Sequence, residues 1–183
     1  MVGLLIFVCY GCKSNNPPLD LASNTVSTTT NNNNNTPPTA KTGLIFSAIT
    51  STAGGAFAPR HVVVIWVEDS IGNFVKTLTL NAKIRSYDLT NWYNASKNNT
   101  EDASTGATRS THGIIYAVWN GTDSHGSVVK DGNYRICMEL SDKDDTGNFS
   151  YFNFTKANIS ETLTPPDVPS FSSISIKWIP LSL

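Results

Sequence analysis

From residue 43 onward the chain is a series of short runs rich in Val, Ile, Thr, Tyr, Phe and Trp, each closed by Gly, Asn, Asp or Pro. This punctuation constrains the fold more than any other feature. A helix needs apolar residues spaced three and four apart over several turns, whereas short runs of β-branched and aromatic side chains suit a pleated strand. Strands are predicted over 44–49, 61–68, 73–80, 113–119, 133–140, 149–155 and 173–178, and no stretch of helical period competes with them. Within YRICMEL, residues Tyr134, Ile136, Met138 and Leu140 point one way and Arg135, Cys137 and Glu139 the other, so one face is expected in the core and one in water. The connections 69–73, 120–126 and 142–147 hold the Gly and Asn residues that tolerate positive φ, and read as hairpin loops. About seven such strands imply an all-β domain over 43–183, an immunoglobulin-like antiparallel β-sandwich.

The residues before 43 have no such pattern. The apolar run 2–8 is too short to span a bilayer and breaks into polar sequence, so it reads as a secretory segment. Gly11-Cys12 resembles the lipobox of bacterial lipoproteins, although Cys9 occupies the position where Leu or Val is usual. That resemblance implies a signal segment over 1–12 and a lipidated Cys12; cleavage as an ordinary signal peptide is the other reading. Residues 13–42 are dominated by Asn, Thr, Ser and Pro with almost nothing apolar to bury, and are expected to form a disordered tether. Acyl chains on Cys12 would anchor such a tether to a membrane through roughly 0.8 kcal/mol per buried methylene. Either route places the domain outside the cytosol, with the periplasm as the default. Lys and Arg number 13 against 14 Asp and Glu, so no basic field exists to hold nucleic acid, which is excluded as a partner.

The pieces FAPRHVVVIWVED, FVKTL, TGATRSTHG, WNGTDSHG, DGNYRICMEL, FTK and ISIKW, spread over 57–178, resemble domain-of-unknown-function family 2271, whose members are described as predicted periplasmic proteins. The hairpin 67–78 and the later segment 118–135 are also similar to the immunoglobulin-like domain of flagellar hook-capping proteins, but a membrane tether does not suit a secreted cap. Inside the matching region, DASTGATRS is similar to the acceptor motif D-x-x-[ST]-G-A-[ST] of proteins that receive FMN covalently from the extracytosolic FAD:protein FMN transferase. The resemblance implies a phosphoester between FMN and Thr108, with Asp102, Thr105, Gly106, Ala107 and Ser110 completing the acceptor stretch. Gly106 and Ala107 leave room for close backbone approach, and Asp102 suits recognition or loop ordering better than proton abstraction. The plain alternative is that DASTGATRS, too small and polar for a strand, is a spacer loop.

An attached isoalloxazine ring needs an apolar or aromatic surface, and Trp92, Tyr93, His112, Tyr116 and Trp119 are the nearest candidates in sequence. Tyr116 and Trp119 also fit as core anchors of a strand. Arg109 is placed either to neutralise the flavin phosphate or to lie solvated in the loop. His61, His112 and His125 lack metal-ligand spacing, and the loop DSHG lacks the alternating oxygens and terminal Glu of a calcium site. Cys137 reads as a structural thiol. No nucleophile-and-base constellation is present, so the chain is expected to be a tethered redox carrier rather than a turnover enzyme, with the FMN transferase, a membrane redox protein and the membrane itself as partners. The alternative is a cell-envelope lipoprotein whose sandwich serves as a binding or assembly module.

Overall fold

The structure, a computed structural model, describes residues 37–181. Cys12, the signal segment and residues 13–36 of the expected tether lie outside the described residues. Regular structure begins at Gly43 and runs β1 (Gly43–Thr50), β2 (Val62–Asp69), β3 (Phe74–Asn81), α1 (Thr90–Ser96), β4 (Ser104–Gly106), β5 (Ile114–Trp119), β6 (Gly132–Ser141), β7 (Asn148–Lys156), β8 (Glu161–Leu163) and β9 (Phe171–Ile179). The strands form a sandwich of two sheets, ordered β5-β1-β9-β8 and β4-β3-β2-β6-β7. Each of the seven predicted strands is present to within one or two residues at each end. The two short strands β4 and β8 and the helix α1 were not anticipated.

Alternation in the strands builds the central core. Leu44, Phe46 and Ala48 of β1, Ile115, Ala117 and Trp119 of β5, and Ile174, Ile176 and Trp178 of β9 meet Val63, Ile65 and Val67 of β2 and Ile136 and Met138 of β6 between the sheets. The indole N–H groups of Trp119 and Trp178 donate to the Thr122 and Ala157 carbonyls at 2.7 Å each, so both rings are buried without an unmet donor.

The far face of the five-stranded sheet corrects the expectation of a wet side. Cys137 and Glu139 are fully buried, together with Val62, Val64 and Trp66 of β2. Leu89 and Trp92 of the β3–β4 connection close over Val62, Val64, Trp66 and Cys137, forming a second core. Only Arg135 of the three remains half-buried. The unbroken apolar run Val62 to Val67 reflects burial on both faces, as in strands covered by other elements on each side.

Helix α1 owes its position to a residue far along the chain. Its flank Leu89 supplies no side-chain cap. Instead the Glu139 carboxylate accepts the Asn91 N–H at 3.1 Å, the Asn91 side-chain amide at 2.8 Å and the Trp92 N–H at 2.9 Å, satisfying donors that the first helical turn leaves open. The Trp92 indole then donates to Thr77 Oγ1 on β3 at 2.9 Å, fixing the helix over the sheet. Burial raises the Glu139 pKa, and these hydrogen bonds oppose the rise.

The register sets the two poles of the sandwich. Leu44 lies opposite Trp119, whereas the Thr50 N–H donates to the Gly113 carbonyl at 3.0 Å at the other end. That second pole gathers residues 51–61, 82–89, 107–113 and 142–147. Its organiser is Asp142, which accepts Thr52 Oγ1–H at 2.6 Å, the Ala53 N–H at 3.0 Å and the Gly55 N–H at 2.8 Å, while its own carbonyl accepts the Phe57 N–H at 2.8 Å. Gly55 is required there, because a Cβ would overlap the Asp142 backbone.

Candidate functional site

The stretch Asp102 to Ser110 is pinned at both ends rather than free. Its middle, Ser104–Gly106, is strand β4, paired in parallel with the outer edge of β3 with Thr79 opposite Ser104, Leu80 opposite Thr105 and Asn81 opposite Gly106. This corrects the reading that the segment is too polar for a strand: an edge position needs backbone pairing but not a buried side chain, and Ser104 and Thr105 are exposed. Asp102 has φ 56, a left-handed conformation that Asp tolerates, and its carboxylate meets the buried Lys76 ammonium at 3.3 Å. It therefore orders the start of the loop. A Cβ on Gly106 would overlap the Asn81 side-chain amide, which is the local reason for glycine at that position.

Past β4, Arg109 and His61 exchange both backbone hydrogen bonds at 3.0 Å each, forming an antiparallel bridge. Side chains alternate along such a pair, so Thr108 and Ser110 share one face with Arg60, and Arg109 and His61 share the other. On the first face lies a cavity of about 330 Å³, lined by Phe57, Arg60, Ile84, Arg85, Thr108 and Ser110. Arg85, at φ 70, stacks its guanidinium 4.4 Å from the Phe57 ring centre and approaches Asp88 at 3.5 Å and Asp144 at 3.7 Å. Arg60 is exposed, and its side chain makes no ion pair among the described residues.

On the opposite face the His61 and His112 rings stack with centroids 4.4 Å apart and planes 10° apart. His61 Nδ1 donates to the Pro59 carbonyl at 3.0 Å, because a carbonyl can only accept, so its proton sits on Nδ1. Burial drives the His61 pKa down to about 4, and the ring is neutral at pH 7. Burial also lowers the His112 pKa. The Arg109 guanidinium donates from Nη2 to the Ile114 carbonyl at 3.1 Å, away from the cavity.

Of the residues singled out from sequence, the structure brings Thr108 and Ser110 to the cavity and strings Asp102, Thr105, Gly106 and Ala107 along the edge strand and loop leading to it. The aromatic candidates do not reach it. Trp92 and Trp119 are sealed in the two cores, Tyr93 is exposed on α1, and Tyr116 lies on β5. Phe57, Arg60, Ile84 and Arg85 were missed. They come from two other loops that only the folded chain brings beside Thr108, and the one local hint is the aromatic and arginine in FAPR. In the calcium-like loop, Asp123 Oδ1 accepts the N–H groups of His125 and Ser127 at 2.9 Å each, so this carboxylate closes a turn.

Cys137 is a free thiol in the second core, and burial, then the neighbouring Glu68 carboxylate, push its pKa well above the ordinary range. Native Cys137 is expected to react with a maleimide at least about 100-fold more slowly than in denaturant, followed on the Cys137 peptide by mass spectrometry. Equal rates would show that α1 does not close the second core.

The model of the family described as "Predicted periplasmic protein (DUF2271)" matches residues 55–163. The chain belongs to this family. The match to DUF2271 covers the whole five-stranded sheet, β5, β8 and every cavity residue, and leaves out β1 and β9 of the four-stranded sheet. No curated protein and no solved structure matches the chain. The description of DUF2271 agrees with an extracytosolic address.

Proposed function

We propose that this DUF2271 protein is an extracytosolic electron carrier with FMN covalently linked to Thr108, held to a membrane through a lipidated Cys12. The observation that carries the reading is the meeting of the acceptor-like stretch with the cavity: the residue that aligns with the modified hydroxyl lines a space that also holds an aromatic ring and two guanidinium groups. These are the groups a flavin phosphate and its ring need, an anion partner and an apolar face. In the attachment step, Thr108 Oγ1 forms a bond to the FMN phosphorus of FAD, the pyrophosphate bond to AMP breaks, and the hydroxyl proton passes to the transferase, which supplies the metal and base. The bound flavin would supply reversible electron uptake; the chain's residues hold it. Edge strand β4, exposed at Ser104 and Thr105, offers the transferase a backbone it can approach. Gly43, where regular structure begins, lies at the opposite pole of the sandwich from Thr108. The order β3-β2-β6-β7 also supports an immunoglobulin-like arrangement, since it is that of the C′CFG strands of variable-type domains.

A second reading, an envelope binding module, is favoured by the outer face of the four-stranded sheet. There Ile49 lies opposite Ile114 and Ile45 opposite Val118, with Ile49, Ile114 and Val118 about 40% exposed.

Co-expression of the full chain with an FMN transferase is expected to yield one flavin per chain by intact mass, with flavin fluorescence retained in a denaturing gel. An unmodified mass, with a known acceptor modified in parallel, overturns the flavin reading. A Cys12→Ala variant is expected to leave the detergent phase, and unchanged partitioning counts against lipidation.

A further inference from the structure

The two arginines at the cavity differ in a way that assigns them different work. Arg85 is already balanced by Asp88 at 3.5 Å and Asp144 at 3.7 Å and is stacked on Phe57 at 4.4 Å. A further anion gains less from a cation whose charge two carboxylates already offset. Arg60 is exposed and makes no ion pair among the described residues. Its place is nevertheless fixed. The Arg60 N–H donates to the Phe57 carbonyl at 2.9 Å, Phe57 is itself tied to Asp142, and the next residue, His61, is bridged to Arg109.

The register of that bridge is what selects Arg60. With His61 opposite Arg109, the antiparallel count places Arg60 opposite Ser110, and both fall on the face that Thr108 shares. Arg109, the sequence neighbour of Thr108, falls on the other face, where it donates to Ile114. Adjacency along the chain is therefore misleading, and adjacency across the bridge supplies the cation.

We propose that the cavity is the seat of the attached flavin, with Arg60 and Ser110 binding the phosphate ester on Thr108 and Phe57 and Ile84 forming the wall against which the ring packs. This rests on the flavin reading and deepens it. The phosphodiester carries one negative charge, which a forked guanidinium matches and a serine hydroxyl supplements with one donor. Ile84, 72% exposed, offers the cavity a solvent-facing apolar side chain.

The test uses the flavinylated full chain from co-expression, with Phe57→Ala, Arg60→Gln and Arg109→Gln variants each checked by intact mass and thermal unfolding. Pockets bury most of a ligand's surface, so iodide is expected to quench the wild-type flavin about five-fold less effectively than free FMN. In Phe57→Ala that protection is expected to fall to less than about two-fold. The phosphorus resonance of the ester is expected to move toward that of an exposed FMN diester in Arg60→Gln and to stay in place in Arg109→Gln. A flavin quenched as readily as free FMN, or a resonance that moves in Arg109→Gln but not in Arg60→Gln, overturns the seat while leaving the attachment at Thr108 intact. No adduct in the wild-type chain overturns both. Arg60 is exposed, so its variant keeps the proposal falsifiable if Phe57→Ala fails to fold.

Discussion

Replacing Thr108 by Val is expected to abolish flavin attachment, with no adduct detectable by intact mass after co-expression with the transferase. Valine keeps the branched shape of threonine and deletes only the hydroxyl, so the bond to phosphorus has no oxygen from which to form. The residue is half-buried in a loop pinned by β4 on one side and the His61–Arg109 bridge on the other, and those backbone contacts survive the change. Stability is therefore expected to stay within about 0.5 kcal/mol of wild type, which separates loss of chemistry from loss of fold. Thr108→Ser restores a hydroxyl at the same place and is expected to restore the adduct. Thr105 and Ser110 lie within three residues, and a flavin retained by the Val variant would show that one of them, or another hydroxyl, is the true acceptor.

Asp142→Ala is expected to be the most destabilising change at the same pole, costing about 3 kcal/mol, because three donors lose a charged acceptor inside the protein. For a domain of this size that lowers the melting temperature by roughly 6–12 °C. The loss also releases the loop bearing Phe57 and Arg60, so stability and site share one carboxylate. A melting temperature within 2 °C (about one degree of scatter either way) would refute this role.

Two groups at this pole, Asp142 and His61, contribute to the pH dependence of stability. Burial by itself would raise the Asp142 pKa, but the hydrogen bonds from Thr52, Gly55 and Ala53 outweigh it and hold the carboxyl below its ordinary 3.8. Its contribution is complete above pH 3.8 and is lost as pH falls through the lower folded value. His61 titrates at about 4 in the folded chain against 6.5 when free, chiefly through burial, so the stability that depends on its neutral ring is complete above pH 6.5 and is lost as pH falls from 6.5 to about 4. Urea midpoints measured against pH are expected to fall in two successive steps, the upper reduced by His61→Phe but not removed, because burial also lowers the His112 pKa, and the lower flattened by Asp142→Asn. A midpoint constant between pH 6.5 and 4 would contradict the buried neutral His61.

The strands were legible because a strand's signal is local. Alternation in Tyr134 to Leu140 put Ile136 and Met138 in the central core from the sequence pattern alone, and the turn residues marked where each strand stops. The same alternation misplaced Cys137 and Glu139, since period two assigns a side chain to a face without saying what covers that face. The warning was in the neighbouring strand, where Val62 to Val67 is apolar throughout. Helix α1 had no local signal at all: it has seven residues, no apolar period and no capping side chain of its own, and it forms where Glu139 on β6 meets its first N–H groups.

The candidate site divides the same way. Sequence alone determined that this is a strand-built domain, that DASTGATRS is unusual within it, and that Thr108 is the hydroxyl worth testing, because composition, period and motif are all properties of neighbours along the chain. Only the tertiary structure decided that β4 joins the edge of β3, that Arg60 rather than Arg109 shares the face of Thr108, and that Phe57 and Ile84 close the cavity. Those facts depend on sheet register and on loops far apart in sequence converging at one pole, which pairing across the sheets dictates and local spacing does not encode.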